Sequence, residues 1–443
     1  MTDINVLLLT IDSLRYDGVF TEEFETPTFD QLADTGVTFD SCYSQGISTA
    51  PSMTAILTGR YPLDYGGHWY LEESQPTMAE EFRRNGYATG AIHSNPNVSR
   101  LRNFHRGFET FEENILPYDP DGLVTNAPDD LLRYANKVAR ILRRTPYKPA
   151  GKINASLLSW IQSREEPWFL WTQYMDVHGP YLPGDEFSYR NKFKSERLWR
   201  KAAVTSPDEV TKTEHEELRR NYKKEVEYLD AEIGRFLDEL NAEGKLANTA
   251  VVIVSDHGDE FFEHGRYGHG NLPYDELTHV PLIVRFPEFV DVPQPTTVNE
   301  LVRTIDVLPT MLDLVNADLS AEMEARMVGN SLLPVIRGDK SGCDCIVTEK
   351  EMRGETALRF GFRTDQWKYI YDGKTDDHLL YDLGVDPSEN RNVAADNPEI
   401  VDRFRDRLQA RLDSIEETSS SVQIPDLEDG EGVSERLRAL GYK

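Results

Sequence analysis

Thr249-Ala250-Val251-Val252-Ile253-Val254-Ser255, followed at once by Asp256-His257-Gly258-Asp259, is the stretch that decides the fold. The apolar run shows no polar alternation, the mark of a strand buried on both faces, as in the middle of a parallel sheet. Asn5 to Ile11 (NVLLLTI), Trp168 to Met175 (WFLWTQYM) and Val280 to Phe286 (VPLIVRF) read the same way, and Val37 to Cys42 and Ala88 to His93 are further strands. Helical stretches separate them: Thr28 to Thr35 closed by Gly36, Ser52 to Leu57 entered through Pro51, Thr77 to Asn85 ended by Gly86, and Val226 to Leu240 with apolar residues at helical spacing. Strands alternating with helices predict an α/β chain with one large, mostly parallel sheet sandwiched by helices. Ligands in such folds gather beyond the carboxyl ends of the strands. The polar residues just past those ends are Asp12, the Thr49 region, Asp176 with His178, and Asp256 with His257.

From about Cys345 the pattern changes to short strands, Leu358 to Gly361, Trp367 to Tyr371 and Leu379 to Tyr381, followed by a helix from Pro398 to Leu412. The expected organisation is a catalytic domain over 1–340, a small C-terminal α+β subdomain over 345–415, and an acidic tail over 416–443. Two helical insertions are expected within the first domain, at about 119–160 and 186–224, the second as a solvated charge run.

The 443 residues are 39% hydrophobic and 28% charged, enough to bury a sizeable core. A formal net charge of −29 repels nucleic acid and anionic membrane surfaces, so neither is an expected partner. Arg outnumbers Lys, and the acidic excess suits a halophile, where high salt screens self-repulsion. Cys42, Cys343 and Cys345 make no disulfide framework. Met1-Thr2-Asp3 leads straight into an apolar strand without the marks of a signal peptide, and no apolar run reaches the roughly 20 residues of a membrane-spanning helix. A cytoplasmic location is the expectation; nothing specifies an oligomeric state.

Asp and His side by side at a strand end suit a divalent metal, with Gly258 letting the backbone turn tightly. Alone the triplet is weak; its force comes from Asp12 at the same sheet edge. Here a family likeness becomes specific. Leu9-Thr10-Ile11-Asp12-Ser13-Leu14-Arg15 resembles the metal-binding start of sulfatases. Thr49-Ala50-Pro51-Ser52-Met53 with Leu57-Thr58-Gly59 resembles their signature, Cys/Ser-x-Pro-Ser-Arg followed by Leu-Thr-Gly. His178-Gly179-Pro180-Tyr181, Asp256-His257-Gly258, Glu263-His264-Gly265, Tyr274-Asp275-Glu276 before Val280-Pro281-Leu282, and the later Trp367-Lys368-Tyr369 and Asp386-Pro387 with Glu389 and Asn392 follow in the family's order. The chain is thus similar to sulfatases of the alkaline phosphatase superfamily over roughly residues 4 to 412.

The resemblance implies an alkaline phosphatase-like catalytic domain and a metal-dependent hydrolase of sulfate or phosphate esters. It places one divalent ion (calcium, manganese, magnesium or zinc, with manganese or calcium preferred) on Asp12, Thr49, Asp256 and His257. It makes His178 and His269 binders of the ester oxygens and candidate proton donors. His93 and Asn95, which follow a strand, read either as pocket-lining, substrate-binding residues or, for His93, equally as a satisfied structural histidine. Its departures are as informative. The position that sulfatases convert to formylglycine is Thr49, which cannot give the aldehyde, so no formylglycine is expected. Met53 replaces the signature Arg, Ser13 the second Asp of an Asp-Asp pair, His269 one family lysine, and Gly90-Ala91-Ile92-His93 lacks the other. A threonine hydroxyl acting as nucleophile fits ester hydrolysis, and also a phosphotransferase or phosphodiesterase that passes its group to an acceptor alcohol. Thr49 before Ala-Pro-Ser also suits a helix N-cap, and loss of the Arg and both lysines suits a degenerate member that binds an anion without turnover. The expected substrate is a small-molecule, glycan or lipid-head ester.

Overall fold

The computed structural model describes residues 4–65, 70–113, 147–182, 189–351 and 358–419. Its centre is an eight-stranded sheet. In chain order its strands are β1 (Asn5–Ile11), β2 (Val37–Phe39), β3 (Ala88–His93), β4 (Thr110–Glu113), β5 (Trp168–Tyr174), β6 (Thr249–Ser255), β7 (Leu282–Arg285) and β8 (Thr296–Val298). Across the sheet they lie in the order β8-β2-β7-β6-β1-β5-β3-β4. Every pairing is parallel except those of β7, which runs antiparallel to both β2 and β6. The sequence marked β7 as doubly buried but carried no sign of its direction, because interior strands of either sense are apolar throughout. The direction follows from the connection: the chain leaves β6 at Ser255, folds loops at that end of the sheet, and re-enters through Val280-Pro281 from the same end.

Alternate residues of β1 face opposite layers. Val6 and Leu8 join one core with Met53, Ile56 and Leu57 of helix α1 (Thr49–Thr58) and Met78 and Phe82 of helix α2 (Met78–Arg84). Leu7, Leu9 and Ile11 join the other, with Ile153 and Leu157 of helix α3 (Ala150–Gln162) and Leu218, Tyr222, Val226 and Leu229 of helix α4 (Lys212–Ala242). The mostly parallel sheet sandwiched by helices is therefore as expected. Thr77 starts α2 with a capping box, its hydroxyl accepting from Glu80 N while the Glu80 carboxylate accepts from Thr77 N.

The 186–224 charge run differs from the expectation of a solvated insertion. Lys212–Ala242 is one 31-residue helix that includes the Val226–Leu240 segment. Leu198, Trp199, Ala202, Leu218, Tyr222 and Glu225 are buried, because the few apolar residues of the run fall on one helical face while charges cover the others. Asp230 accepts from Thr28 N (3.1 Å) and Phe29 N (2.8 Å), tying α4 to the first turn of the Pro27–Thr35 helix. Of the other insertion, 119–146 lies outside the described residues.

The C-terminal part is a four-stranded antiparallel sheet of β9 (Ile346–Glu351), β10 (Leu358–Arg363), β11 (Trp367–Asp372) and β12 (Asp377–Asp382), in that order. Helix α5 (Pro398–Ser419) packs on it, with Phe404 stacked on Tyr369 at 5.3 Å. Arg411 of this helix contacts Glu349 of β9 (2.5 Å) and also anchors to the first domain through Asp64 (2.6 Å). The helix runs to Ser419, beyond the expected start of the acidic tail; 420–443 lies outside the described residues.

Leu8 is fully buried in the central strand. Leu8→Ala is expected to cost about 2–5 kcal/mol. Urea unfolding checks it, as a lowered midpoint with an unchanged slope.

Candidate active site

The site grows out of the ends of β1 and β6. One residue beyond each strand the ladder still holds: Asp12 N donates to Tyr174 O (3.0 Å) and Asp256 N to Ile11 O (3.2 Å). That register sets two carboxylates next to each other with no exposure to solvent. Ser13 follows in the left-handed region (φ 63°), so that its amide donates to Asp256 Oδ1 (3.2 Å) and its hydroxyl to Asp12 Oδ1 (3.0 Å). Gln173 Nε2 donates to Asp256 Oδ2 (3.0 Å), and Asn95 Nδ2 to Asp12 Oδ2 (2.8 Å). Thr49 is the first residue of α1, fully buried, and its Oγ1 donates to Asp12 Oδ2 at 3.1 Å. Ser48, not Thr49, occupies the N-cap position, and its side chain makes no capping bond.

His257 completes the group. Its Nδ1 lies 2.9 Å from Gly258 O, which can only accept, so the ring proton sits there and the Nε2 lone pair faces away. That Nε2 is buried without a hydrogen-bond partner, 3.6 Å from Asp12 Oδ1 and 3.7 Å from Asp256 Oδ2. A lone pair turned towards two carboxylates is repulsive unless a cation sits between them. Burial, then Asp12, pushes the Asp256 carboxyl well above the usual range. Burial opposes the charge on Asp12 too, but His178, His257 and His269 hold its carboxyl below the ordinary value. Burial, then His269, lowers His257 to about 4, leaving it a neutral donor at neutral pH. Ligand atoms of Asp12, Asp256 and His257 lie within 4.8 Å of one another. This donor set fits a divalent cation, as the sequence expected.

A second chain of contacts adjoins the first. His178 Nδ1 lies 2.5 Å from Gly179 O, so its Nε2 accepts, and His269 Nε2 donates to it at 3.3 Å. His269 Nδ1 stands 2.8 Å from Asp259 Oδ1, while Tyr181 OH donates to Asp259 Oδ2 (2.9 Å). Arg15 braces this side through Asp259 O (2.9 Å), Asp17 and Glu263. His269 keeps 16% of its side chain exposed, which marks where solvent reaches the group.

Asp12, Thr49, Asp256, His257, His178, His269 and Asn95 thus converge. His93 is different: it is fully buried against Phe111 and Trp171, with Nδ1 accepting from Asn95 N (3.2 Å) and Nε2 unpartnered. It stands behind Asn95. Sequence reasoning missed Gln173 and Asp259 as members and gave Ser13 only as a departure. Gln173 was visible as a polar residue inside an apolar strand.

Comparison with known proteins agrees with this geometry. The family profile described as Sulfatase matches residues 4–317, and that of N-sulphoglucosamine sulphohydrolase, C-terminal, matches residues 262–418. The chain belongs to the sulfatase family, among the hydrolases of sulfuric and phosphoric esters. It is 25% identical to an arylsulfatase of Clostridium perfringens, over 93% of this chain and 95% of that protein. Its fold matches the phosphonate monoester hydrolase of Agrobacterium radiobacter (TM-score 0.72, 20% identity, 93% of this chain and 96% of that one). It also matches a structure solved with the substrate D-glucosamine-2-N,6-O-disulfate (TM-score 0.72, 18% identity, 97% and 100%).

Burial lowers His93 from the ordinary 6.5 to about 3. The unfolded chain therefore takes up this proton first. The stability held above pH 6.5 drains away as pH falls towards 3. Melting temperatures measured from pH 7 to pH 4 are expected to fall less steeply in His93→Leu than in the parent.

Proposed function

We propose that the chain is a metal-dependent hydrolase of a sulfate or phosphate ester in which Thr49 is the nucleophile. The observation that carries this reading is the fully buried Thr49 hydroxyl at 3.1 Å from Asp12, beside an unpartnered His257 Nε2. Asp12, Asp256, His257 and Thr49 would hold one divalent ion, which supplies charge to acidify a hydroxyl and to polarise an ester oxygen. The chain's own groups do the rest. Asp12 Oδ2 holds the Thr49 proton and aims the hydroxyl oxygen. Thr49 Oγ1 attacks the sulfur or phosphorus, its bond forms as the bond to the leaving oxygen breaks, and a sulfated or phosphorylated Thr49 results. His269, the donor of the histidine pair, protonates the leaving alkoxide, help worth ~10²–10⁴-fold. Water then attacks the same centre, passing a proton to His269, and Asp12 returns its proton to Thr49 Oγ1 as the bond to Thr49 breaks.

A hydrated formylglycine would expel sulfate by collapsing to its aldehyde. A threonine ester has no second hydroxyl on that carbon, so its discharge needs an outside nucleophile. This favours phosphorus esters, whose threonine esters water or an alcohol can open, and it keeps phosphodiester cleavage or transfer to an acceptor alcohol as the second reading.

Thr49→Ala is expected to reduce turnover at least ~10³-fold with the circular-dichroism spectrum unchanged, while Thr49→Ser keeps measurable activity. Full activity in the alanine variant sinks the nucleophile. A panel of p-nitrophenyl sulfate, p-nitrophenyl phosphate and a phenylphosphonate monoester, each assayed before and after dialysis against a chelator, tests the rest. Turnover lost on chelation and restored by manganese or calcium is expected, with phosphorus esters ahead of sulfate. Chelator-resistant activity contradicts the metal assignment.

A further inference from the structure

A second constellation, separate from the one above, joins the catalytic domain to the C-terminal sheet. His264 and Glu276 lie in neighbouring stretches of chain and Glu389 more than a hundred residues further on, yet an imidazole nitrogen and one oxygen of each carboxylate lie within 4.8 Å of one another. His264 is stacked on Tyr274 (centroids 3.5 Å apart, 9° between planes), which aims its Nε2 at Glu276 Oε2, 3.2 Å away. Glu276 and His264 keep 12% and 9% of their side chains exposed, so an ion can reach them.

Glu389 is the telling member. It is 2% exposed; its Oε2 accepts from Asp275 N (2.7 Å), while its Oε1 has no hydrogen-bond partner. Lys368 Nζ is 3.9 Å from that oxygen, beyond hydrogen-bond reach, and is engaged by Asp275 Oδ1 (2.6 Å) and Thr278 Oγ1 (3.3 Å). Lys368 thus offers that oxygen a long ion pair but no hydrogen bond, and a buried carboxylate oxygen without one is costly unless a further group meets it.

We infer that His264, Glu276 and Glu389 bind a second divalent cation, of the zinc class, that fastens the C-terminal sheet to the loops beneath the active site. One imidazole with two carboxylates suits zinc, whose ligand distances of about 2.0–2.2 Å require the three side chains to draw in. The ion's place matters for the first site. Gly258 N donates to Leu277 O (2.9 Å), and a Cβ on Gly258 would stand 2.1 Å from Glu276 O. The backbone that carries Glu276 is thus packed against the glycine whose carbonyl orients His257.

The test uses the full chain. Asp256→Asn disables the first site, and the protein is stripped with a chelator, dialysed against zinc chloride and then against zinc-free buffer. Elemental analysis is expected to find one zinc per chain in Asp256→Asn and a loss of that zinc in Asp256→Asn with Glu276→Gln. Zinc is expected to raise the melting temperature of the first and not of the second. Glu276 is partly exposed, so its amide variant should fold; the same loss of one zinc between the parent and the single Glu276→Gln chain serves as a cross-check. Equal zinc content with and without Glu276→Gln overturns the inference, whatever becomes of the catalytic reading.

Discussion

Asp12 and Asp256 lie side by side, shut off from water, with the lone pair of a neutral His257 turned towards both. Two adjacent carboxylates in such a setting repel each other and lose their hydration, at a cost no apolar packing offsets. The chain meets part of that cost with donors: Ser13 N, Gln173 Nε2 and the amide of His257 to Asp256, and Thr49, Asn95 and the Ser13 hydroxyl to Asp12. The remaining demand is for positive charge, which the proposed divalent ion would supply.

The sheet makes the demand geometrically possible. β1 and β6 pair in register from Asn5 with Thr249 to Ile11 with Ser255, so their next residues emerge together. A strand end embedded in a close-packed sheet holds a carboxylate more tightly than a surface loop does. The nucleophile candidate rides on a different rigid element, the start of α1, and the histidine pair on loops braced by Asp259, Tyr181 and Arg15. The rigid elements thus hold the groups that need fixed geometry. The histidines, which approach the substrate, stand on the more accessible side.

Much of this was legible in the chain. The uninterrupted apolar runs of β1, β5 and β6 disclosed a doubly covered sheet, and Asp12 and Asp256 stood out because they follow such runs directly. Other features could not be read. β7's reversed direction has no compositional sign. The buried stripe of Lys212–Ala242 was hidden by its charge count. Gln173 acts through a partner more than 80 residues away, and Asp259 through Tyr181 and His269. His93 looked like a pocket residue by its position after a strand, yet it packs behind Asn95 against aromatic rings.

The sequence by itself determined the alternation of buried strands and helices, the polar residues waiting at the strand ends, and a threonine where an aldehyde precursor would stand. Those are matters of local pattern and side-chain chemistry, which do not change on folding. Only the tertiary structure decided which oxygen faces which nitrogen: that Thr49 points at Asp12, that the free nitrogen of His257 faces two carboxylates, and that Glu389 accepts from the amide of Asp275. Such contacts depend on strand register and on a few degrees of backbone rotation. Residues hundreds of positions apart carry no mark of that geometry until packing brings them within bonding distance.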